Sequence, residues 1–413
     1  MSSQRLRMVL AALVASVFNG SLMAAQPAPL RVGLLTVKTG VAAGIGQQMQ
    51  DGFEYLLQER AGKLAGRDVE LVVADTAASP AVAKAKFLQL TERDRVDVVI
   101  GPLAAFEAVA IRDDIARAKI PVILSSAAAE DLTQRKADPW MVRSSSTSAQ
   151  AMHPFGQYAA NTLKYRRIAV VAEDLSFSHE TVAGFQRTFE EAGGKIVQKL
   201  WAPFNASDFA TVIAQIRPNV DAVLINFSGG NAARFLKQYR DYGLKQKIPL
   251  LAGMNTVDES LLEKMGDEAL DVVSAGWHSG AIATPANDRY VAGFRKQYHI
   301  APGFYATGGY SAGLILEQAL QAGGATTLSG RALADAMHAV RISQSPRGPL
   351  TLDRLGNPVV TVYIRKVARV GGKLVNTVVR EYPDVTQFWT YDPSAFLANP
   401  VYSRDYPPSR NLD

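Results

Sequence analysis

The side chains that do chemistry are sparse in this 413-residue chain. It has five histidines and no cysteine, which excludes disulfides, thiol nucleophiles and cysteine-held metals. No two histidines stand three or four residues apart, so no helical metal pair is expected. No G-x-S-x-G elbow joins a strand to a helix, no G-x-x-x-x-G-K-[ST] phosphate loop occurs, and no G-x-G-x-x-G opens the first helix. Gly40, Gly44 and Gly46 make a Gly-rich turn without the phosphate-binding Lys-Ser. Adjacent carboxylates occur at Asp113-Asp114, Glu173-Asp174 and Glu190-Glu191. The first and third lie in helical patterns, where neighbours point apart, and read as solvated faces. Glu173-Asp174 ends a strand, where a turn cap and a ligand-facing role both stay open. The expectation is a protein with no catalytic residue, no metal and no cofactor.

Two histidines and three phenylalanines stand at notable places. His153 precedes Pro154 at a helix start and reads as a capping or supporting residue rather than a contact. His278 lies beside Trp277 where the chain changes direction, and core and ligand roles both stay open. Phe106, Phe177 and Phe227 each follow a strand. The core is the ordinary place for Phe. Three at strand–helix turns point instead to an apolar lining, with two of the three touching a ligand.

The elements that position these groups alternate. Residues 96–132 read as two strand–turn–helix units. Val98-Val99-Ile100 ends at Gly101-Pro102, and a helical pattern covers 106–118. Pro121 then precedes Val122-Ile123-Leu124, which runs into Ser125-Ser126. In a parallel sheet both turns open at one edge and present free N–H groups at helix starts, a place for an anionic or polar small molecule. Strands are also expected at 30–35, 69–74, 167–172, 195–200, 222–227, 250–253 and 272–275, with helical patterns between them, which predicts parallel sheets covered on both faces. The rhythm breaks at the polar run Ser144-Ser145-Ser146-Thr147-Ser148 and again near Trp277, giving two α/β lobes with crossovers. A helix is expected at 209–216, and short antiparallel strands at 348–352, 359–367 and 374–379. The aromatic tail at 382–413 should pack over a lobe.

Apolar residues make up 48% and charged residues 20% of the chain, as in a soluble globular protein. Net charge is +6, with basic and acidic residues interspersed and no basic stripe carrying aromatics, so no nucleic-acid partner is expected. Arg5 and Arg7, an apolar run at 8–18 and small residues at 21–25 make a secretory signal, cleaved near residue 25. A free, monomeric periplasmic protein is the expectation.

The ordered run VIGPLAAFEAVA, PVILSSAAAEDLT, WMVRSSSTSAQ, RIAVVAEDLSFSHETVAGF, ARFLKQYRDYGLK and FYATGGYSAGLILEQAL resembles the leucine/isoleucine/valine-type periplasmic substrate-binding proteins of ABC importers. The resemblance implies a type I periplasmic binding protein fold: two doubly wound parallel-sheet lobes joined by a three-strand hinge, closing on a small ligand and docking on a membrane permease, with no catalysis. It divides the chain into a signal at 1–25, a first lobe at 26–147 plus 279–346, a second lobe at 148–278 plus 347–381, and the tail. It places ligand loops on Ala104, Ala105, Phe106, Ser126, Ala127 and Ala128 in the first lobe. In the second they fall on Ser148, Ala149, Phe177, Phe227, Ser228, Asn255 and Thr256, and Trp277 and His278 join them at the crossover. Amino-acid-binding members hold the ligand ammonium with carboxylates where this chain has Ser148-Ala149 and Asn255, and Ala105 and Ala128 replace hydroxyl side chains. A buried ammonium without a carboxylate costs several kcal/mol. Backbone N–H groups survive any side-chain change and still suit a carboxylate. The resulting expectation is an aromatic carboxylate. The tail also resembles the ending of a subgroup associated with aromatic-acid uptake. The alternatives are a branched-chain amino acid or amide, held by Glu173, Asp174 or Asp258, and a ligand-sensing regulator on the same fold.

Overall fold

The computed structural model describes residues 28–323 and 328–412, so the signal read at 1–25 lies outside the described residues. Short β-branched runs closed by Gly, Pro or Asp form strands, and the 3.6-periodic stretches between them form helices. The chain runs β1 (Leu30–Thr36), α1 (Ala43–Glu59), β2 (Lys63–Leu64), β3 (Arg67–Asp75), α2 (Pro80–Leu88), β4 (Val98–Ile100), α3 (Ala105–Ala118), β5 (Val122–Leu124) and β6 (Met141–Arg143). It continues through α4 (Met152–Asn161), β7 (Arg167–Glu173), α5 (Ser176–Glu191), β8 (Lys195–Ala202), α6 (Ala210–Ala214), β9 (Ala222–Asn226), α7 (Gly230–Asp241), β10 (Leu250–Gly253), α8 (Leu262–Met265) and β11 (Val273–Gly276). Then come α9 (Pro285–Tyr298), α10 (Phe304–Ala322), α11 (Gly330–His338), β12 (Arg341–Ile342), β13 (Leu350–Leu352), β14 (Pro358–Val370), β15 (Lys373–Val385) and α12 (Pro393–Leu397).

Two sheets divide these strands, one per lobe. The first has the order β2-β3-β1-β4-β5-β6 and is parallel from β3 to β6. The second runs β12-β13-β14-β11-β10-β9-β7-β8, with β15 also on β14. It is parallel from β11 to β8 and antiparallel beyond β11. Val98–Ile100 and Val122–Leu124 are buried at every position, as strands covered on both faces must be. In each lobe the chain first winds one way from a central strand and then the other. The two switch points lie between β1 and β4 and between β7 and β9, where open α/β sheets leave a crevice at the strands' C-terminal ends.

Some elements differ from expectation. β13 is short, as expected, but the other two antiparallel strands are not: β14 and β15 are 13 residues each and form one long hairpin through Gly371-Gly372, both at positive φ. The helix expected at 209–216 keeps only Ala210–Ala214, because Phe209, Ile213 and Ile216 find their apolar partners in the core without a longer helix. In the tail, Phe388, Phe396 and Tyr402 are buried against Ala149 and Ala183.

Candidate ligand-binding site

Both switch points open into one cavity between the lobes. The turn after β4 begins at Gly101, whose φ is +112° and where a Cβ would collide with the Leu35 carbonyl, so glycine is required. The turn leads into α3, whose N-cap is Ala104 and carries no capping oxygen. Glu107 reaches back to accept from the Ala104 N–H at 3.0 Å. The first N–H groups of α3, from Ala105 onward, have no acceptor within the helix and stand at its positive end. From the opposite lobe, α5 begins at Ser176 behind Leu175, also without a side-chain cap. Two uncapped helix starts thus flank the same space.

The cavity has a volume of about 80 Å³, room for several waters or one small ring. The first lobe lines it with Val37, Ile45, Leu103, Ala104, Ala105, Phe106, Ser126 and Ala128 among others. The second contributes Leu175, Ser176, Phe177, Phe204 and Ser228, and the start of α10 adds Phe304 and Tyr305. A smaller recess of about 30 Å³ continues from Ala128, Phe177 and Phe304 toward the hinge, past Ser148, Thr181, Asn255 and Trp277. No Asp, Glu, Lys or Arg stands among the lining residues of either space.

The loop at 126–129 is held from behind. The Arg143 guanidinium, wholly buried, donates to the Ala127 carbonyl at 3.1 Å and the Ala129 carbonyl at 2.8 Å. In a trans peptide the N–H points opposite to the carbonyl, so the Ala128 N–H is turned away from Arg143. Ser126 spends its hydroxyl proton on the Leu103 carbonyl at 2.8 Å, tying this loop to the α3 turn. Burial pulls Arg143 down to about 10, which leaves it charged at neutral pH.

The expected site residues divide as follows. Ala104, Ala105, Phe106, Ser126, Ala128, Phe177 and Ser228 line the main cavity, and Ser148, Asn255 and Trp277 line the recess. Ala127 lies behind the wall, fully buried with its carbonyl on Arg143. Phe227 is placed in the second lobe's core rather than the lining: its ring stacks on Phe235 at 4.5 Å and meets Phe209 at 4.9 Å. His278 is likewise buried, hydrogen-bonded to Asn287 at 3.1 Å and held neutral, its pKa pushed down to about 3 by burial. His153, read as a supporting residue, is buried and shares a 3.0 Å hydrogen bond with Tyr402 of the tail.

Of the acidic candidates, Asp258 is buried and accepts from the Phe304 N–H at 2.6 Å and from Ser260, capping α10. A Cβ at Gly303 would strike its carboxylate, which is why glycine stands there. Asp174 pairs with His179 and Arg404. Glu173 is buried behind Ser228.

Phe204, Phe304 and Tyr305 were not singled out in the sequence, nor were Val37 and Ile45. The aromatic pair after Pro302-Gly303 was a usable signal, since a Gly before two aromatics marks a helix start that lets large rings approach another surface. The string Gly309-Tyr310-Ser311-Ala312-Gly313 spells G-x-S-x-G, but it lies inside α10 with Ser311 buried and forms no strand-to-helix elbow.

A family model described as periplasmic binding protein matches residues 29–372. A Leu/Ile/Val-binding protein homologue from Brucella melitensis is 26% identical over 363 residues, 86% of this chain and 91% of that one. An ABC transporter substrate-binding protein from Sphaerobacter thermophilus is 33% identical with a TM-score of 0.81, over 87% of this chain and 99% of that one. A solute-binding protein of an ABC transporter from Rhodopseudomonas palustris BisB5, solved in complex with 3,4-dihydroxybenzoic acid, is 30% identical with a TM-score of 0.83, over 87% and 98%.

Proposed function

The chain belongs to the periplasmic binding protein family and is a solute-binding protein of the ABC-transporter type, and from that premise we propose that its solute is a small aromatic carboxylate. The observation that carries the proposal is the lining: apolar and aromatic side chains, two uncapped helix starts, and no charged group. A carboxylate finds N–H donors at Ala105, Phe106 and Ala128 without needing a cation. A ring finds Phe106, Phe177, Phe204 and Phe304. An α-ammonium finds no carboxylate on the cavity wall, and leaving it unpaired costs several kcal/mol. The Rhodopseudomonas palustris neighbour, bound to an aromatic acid, supports the same reading. Site residues on this reading are Ala104, Ala105, Phe106, Ser126, Ala128 and Phe177, with Ser148, Ser228, Asn255 and Trp277 toward the second lobe.

The ligand bridges two lobes, so it favours the closed arrangement by the contacts it makes only there. The closed form then hands the solute to the membrane permease of an importer. On the same reading the lobes divide at 147–148, 278–279 and 346–347.

A thermal-shift and calorimetric screen of leucine, valine, isoleucine and benzoate-type acids tests the ligand. Stabilisation by the aromatic acids and none by the amino acids is expected. The reverse pattern would replace this reading with a branched-chain amino acid receptor, as the names of the curated relatives suggest for those proteins.

A further inference from the structure

Where the lobes meet, one hydroxyl proton faces two acceptors. Ser148 Oγ lies 2.9 Å from the Ala128 carbonyl oxygen and 2.7 Å from Glu180 Oε2, and a serine hydroxyl donates to one partner at a time. An ionised Glu180 would take that proton and leave Ser148 Oγ against the Ala128 oxygen, acceptor against acceptor. A protonated Glu180 donates to Ser148 Oγ, Ser148 donates on to Ala128, and each group is satisfied. Glu130 is less suited to hold the proton, because its oxygens already accept the Ala149 N–H at 2.8 Å and Gln134 Nε2 at 2.7 Å. The Arg143 guanidinium faces both carboxylates and balances one of them, not two. Burial and the charge of Glu130 also raise the Glu180 pKa well above the ordinary carboxylate range.

Ala128 and Glu130 follow β5 in the first lobe, whereas Glu180 lies on α5 of the second. We propose that Glu180 is a positioning residue for solute binding: it takes a proton from solvent as the lobes close and, through Ser148, holds the Ala128 loop at the cavity wall. The proposal rests on the hinge closure read above and not on which solute is bound. When the lobes part, Ala128 and Glu130 leave with the first lobe, water reaches Glu180, and the proton returns to solvent. A proton held more tightly in the closed form makes solute affinity highest at low pH and lower as pH rises, by up to about tenfold per pH unit. The groups facing the pair are Arg143 from β6 and Tyr402 from the tail, with Asp353 facing Arg143 from the turn between β13 and β14. From α4, which packs along α5, comes His153, which burial holds neutral with a pKa of about 3.

The test is calorimetric titration of the full mature chain with benzoate from about pH 5.5 to about pH 7.5, where the acid itself stays ionised. Two buffers of different ionisation enthalpy count the protons. Wild-type Kd should rise about tenfold or more across this range, with close to one proton taken up per benzoate at its upper end. Glu180→Gln, whose amide donates to Ser148 Oγ at every pH, should hold its Kd within about threefold and take up none. Glu173 titrates in the same range, so a wild-type slope that survives in Glu180→Gln overturns the proposal, as does a wild-type Kd independent of pH. Should Glu180→Gln fail to fold, Glu130→Gln carries the test. Removing that neighbouring charge should shift the pH dependence to lower pH, and an unshifted curve overturns the proposal. If benzoate does not bind, the aromatic-acid reading fails, and leucine, whose charges are also constant over this range, replaces it in the same experiment. If neither binds, solute-free scattering decides: wild type should be more contracted at about pH 5.5 than at about pH 7.5, with Glu180→Gln alike at both. A wild-type profile unchanged by pH then overturns the proposal. Scattering profiles that stay superimposable as a solute binds overturn hinge closure itself, a result distinct from closure without proton uptake.

Discussion

The carboxylate of Glu180 accepts the backbone N–H of Glu130 at 3.2 Å, across the boundary between the lobes. Glu180 also shares a 2.7 Å hydrogen bond with the Ser148 hydroxyl, while the Glu130 carboxylate accepts the Ala149 N–H at 2.8 Å and Gln134 Nε2 at 2.7 Å. Both side chains are buried beside Arg143, and burial raises both pKa values, Glu180 further because Glu130 stands next to it. Glu180→Gln should fold and keep the Ser148 bond. Glu180→Ala should cost about 1–3 kcal/mol, since it leaves the buried Glu130 N–H unpaired, while the Ser148 hydroxyl keeps the Ala128 carbonyl at 2.9 Å. Chemical unfolding of the two variants checks this, and equal stabilities would show that the cross-lobe bonds contribute nothing.

Glu173 carries a pH signature. Burial pushes its pKa from 4.5 to about 7, with Asn231 and Ser228 offsetting only part of the rise. The folded chain then holds the proton over a pH range where the unfolded chain has lost it. The fold is at its best with respect to this group below about pH 4.5, loses stability as pH rises toward 7, and is level above that. The full loss is up to about 3 kcal/mol. Glu173→Gln has no such proton, so the stability difference between variant and wild type should grow across pH 4.5–7. Urea unfolding of both at several pH values measures it, and a difference independent of pH rules the assignment out.

The hinge is tied by one side chain. Arg347, in the third crossover, donates to the carbonyls of Ser144 and Ser145 in the first and lies over the Trp277 ring of the second at 4.0 Å. It is fully buried, which lowers its pKa to about 9. Arg347→Ala should destabilise by about 3 kcal/mol or more, and Arg347→Lys should rescue little because it loses the planar fork. In solution scattering, wild type should contract on adding a bound aromatic acid, and Arg347→Ala without ligand should be more expanded than wild type without ligand. Superimposable wild-type profiles with and without ligand would remove hinge closure as the mechanism.

The strand–turn–helix rhythm was legible because parallel strands buried on both faces must be short apolar runs, and 98–100 and 122–124 are such runs. The cavity edge followed, since Ala104–Phe106 and Ser126–Ala128 come directly after β4 and β5, at the C-terminal edge of the sheet beside its switch point. Phe106 and Phe227 look identical by that rule, yet only Phe106 lines the cavity. What separates them is tertiary: Phe227 meets Phe209, Phe235 and the helix α7, an aromatic stack that strand spacing cannot reveal. His278 shows the same limit, for Asn287 and Thr307 reach it from helices that come later in the chain. Arg143 and Arg347 read as ordinary charges in sequence, and only folding places each against carbonyls that no local pattern pairs with it.

The C-terminal tail spans the two lobes and lies beyond residue 372, where the family match ends. On the first-lobe side, Arg135 donates to the carbonyls of Phe396, Leu397 and Asn399, and Thr133 pairs with Gln387 at 3.2 Å. On the second-lobe side, the Arg187 guanidinium lies over the Tyr391 ring at 3.6 Å, Tyr402 bonds His153 and Arg187, and Arg404 pairs with Asp174 at 3.0 Å. Phe388, Phe396 and Tyr402 pack on Ala149 and Ala183. A segment bonded to both lobes restrains their relative rotation, so it acts on the energy gap between open and closed forms as well as on stability. Arg135→Ala removes its bonds to the Phe396, Leu397 and Asn399 carbonyls and leaves the Thr133–Gln387 contact and the aromatic packing on α5 in place. It should cost about 1.5–3 kcal/mol of stability. It should also change ligand affinity, although Arg135 lines neither the cavity nor the recess. Truncation after Val385 should do both more severely, because it exposes the apolar surface of α4 and α5. Parallel unfolding and titration experiments separate the two effects. A tail that merely covers the second lobe would leave ligand affinity unchanged in Arg135→Ala, whereas a strap that sets the hinge would shift it.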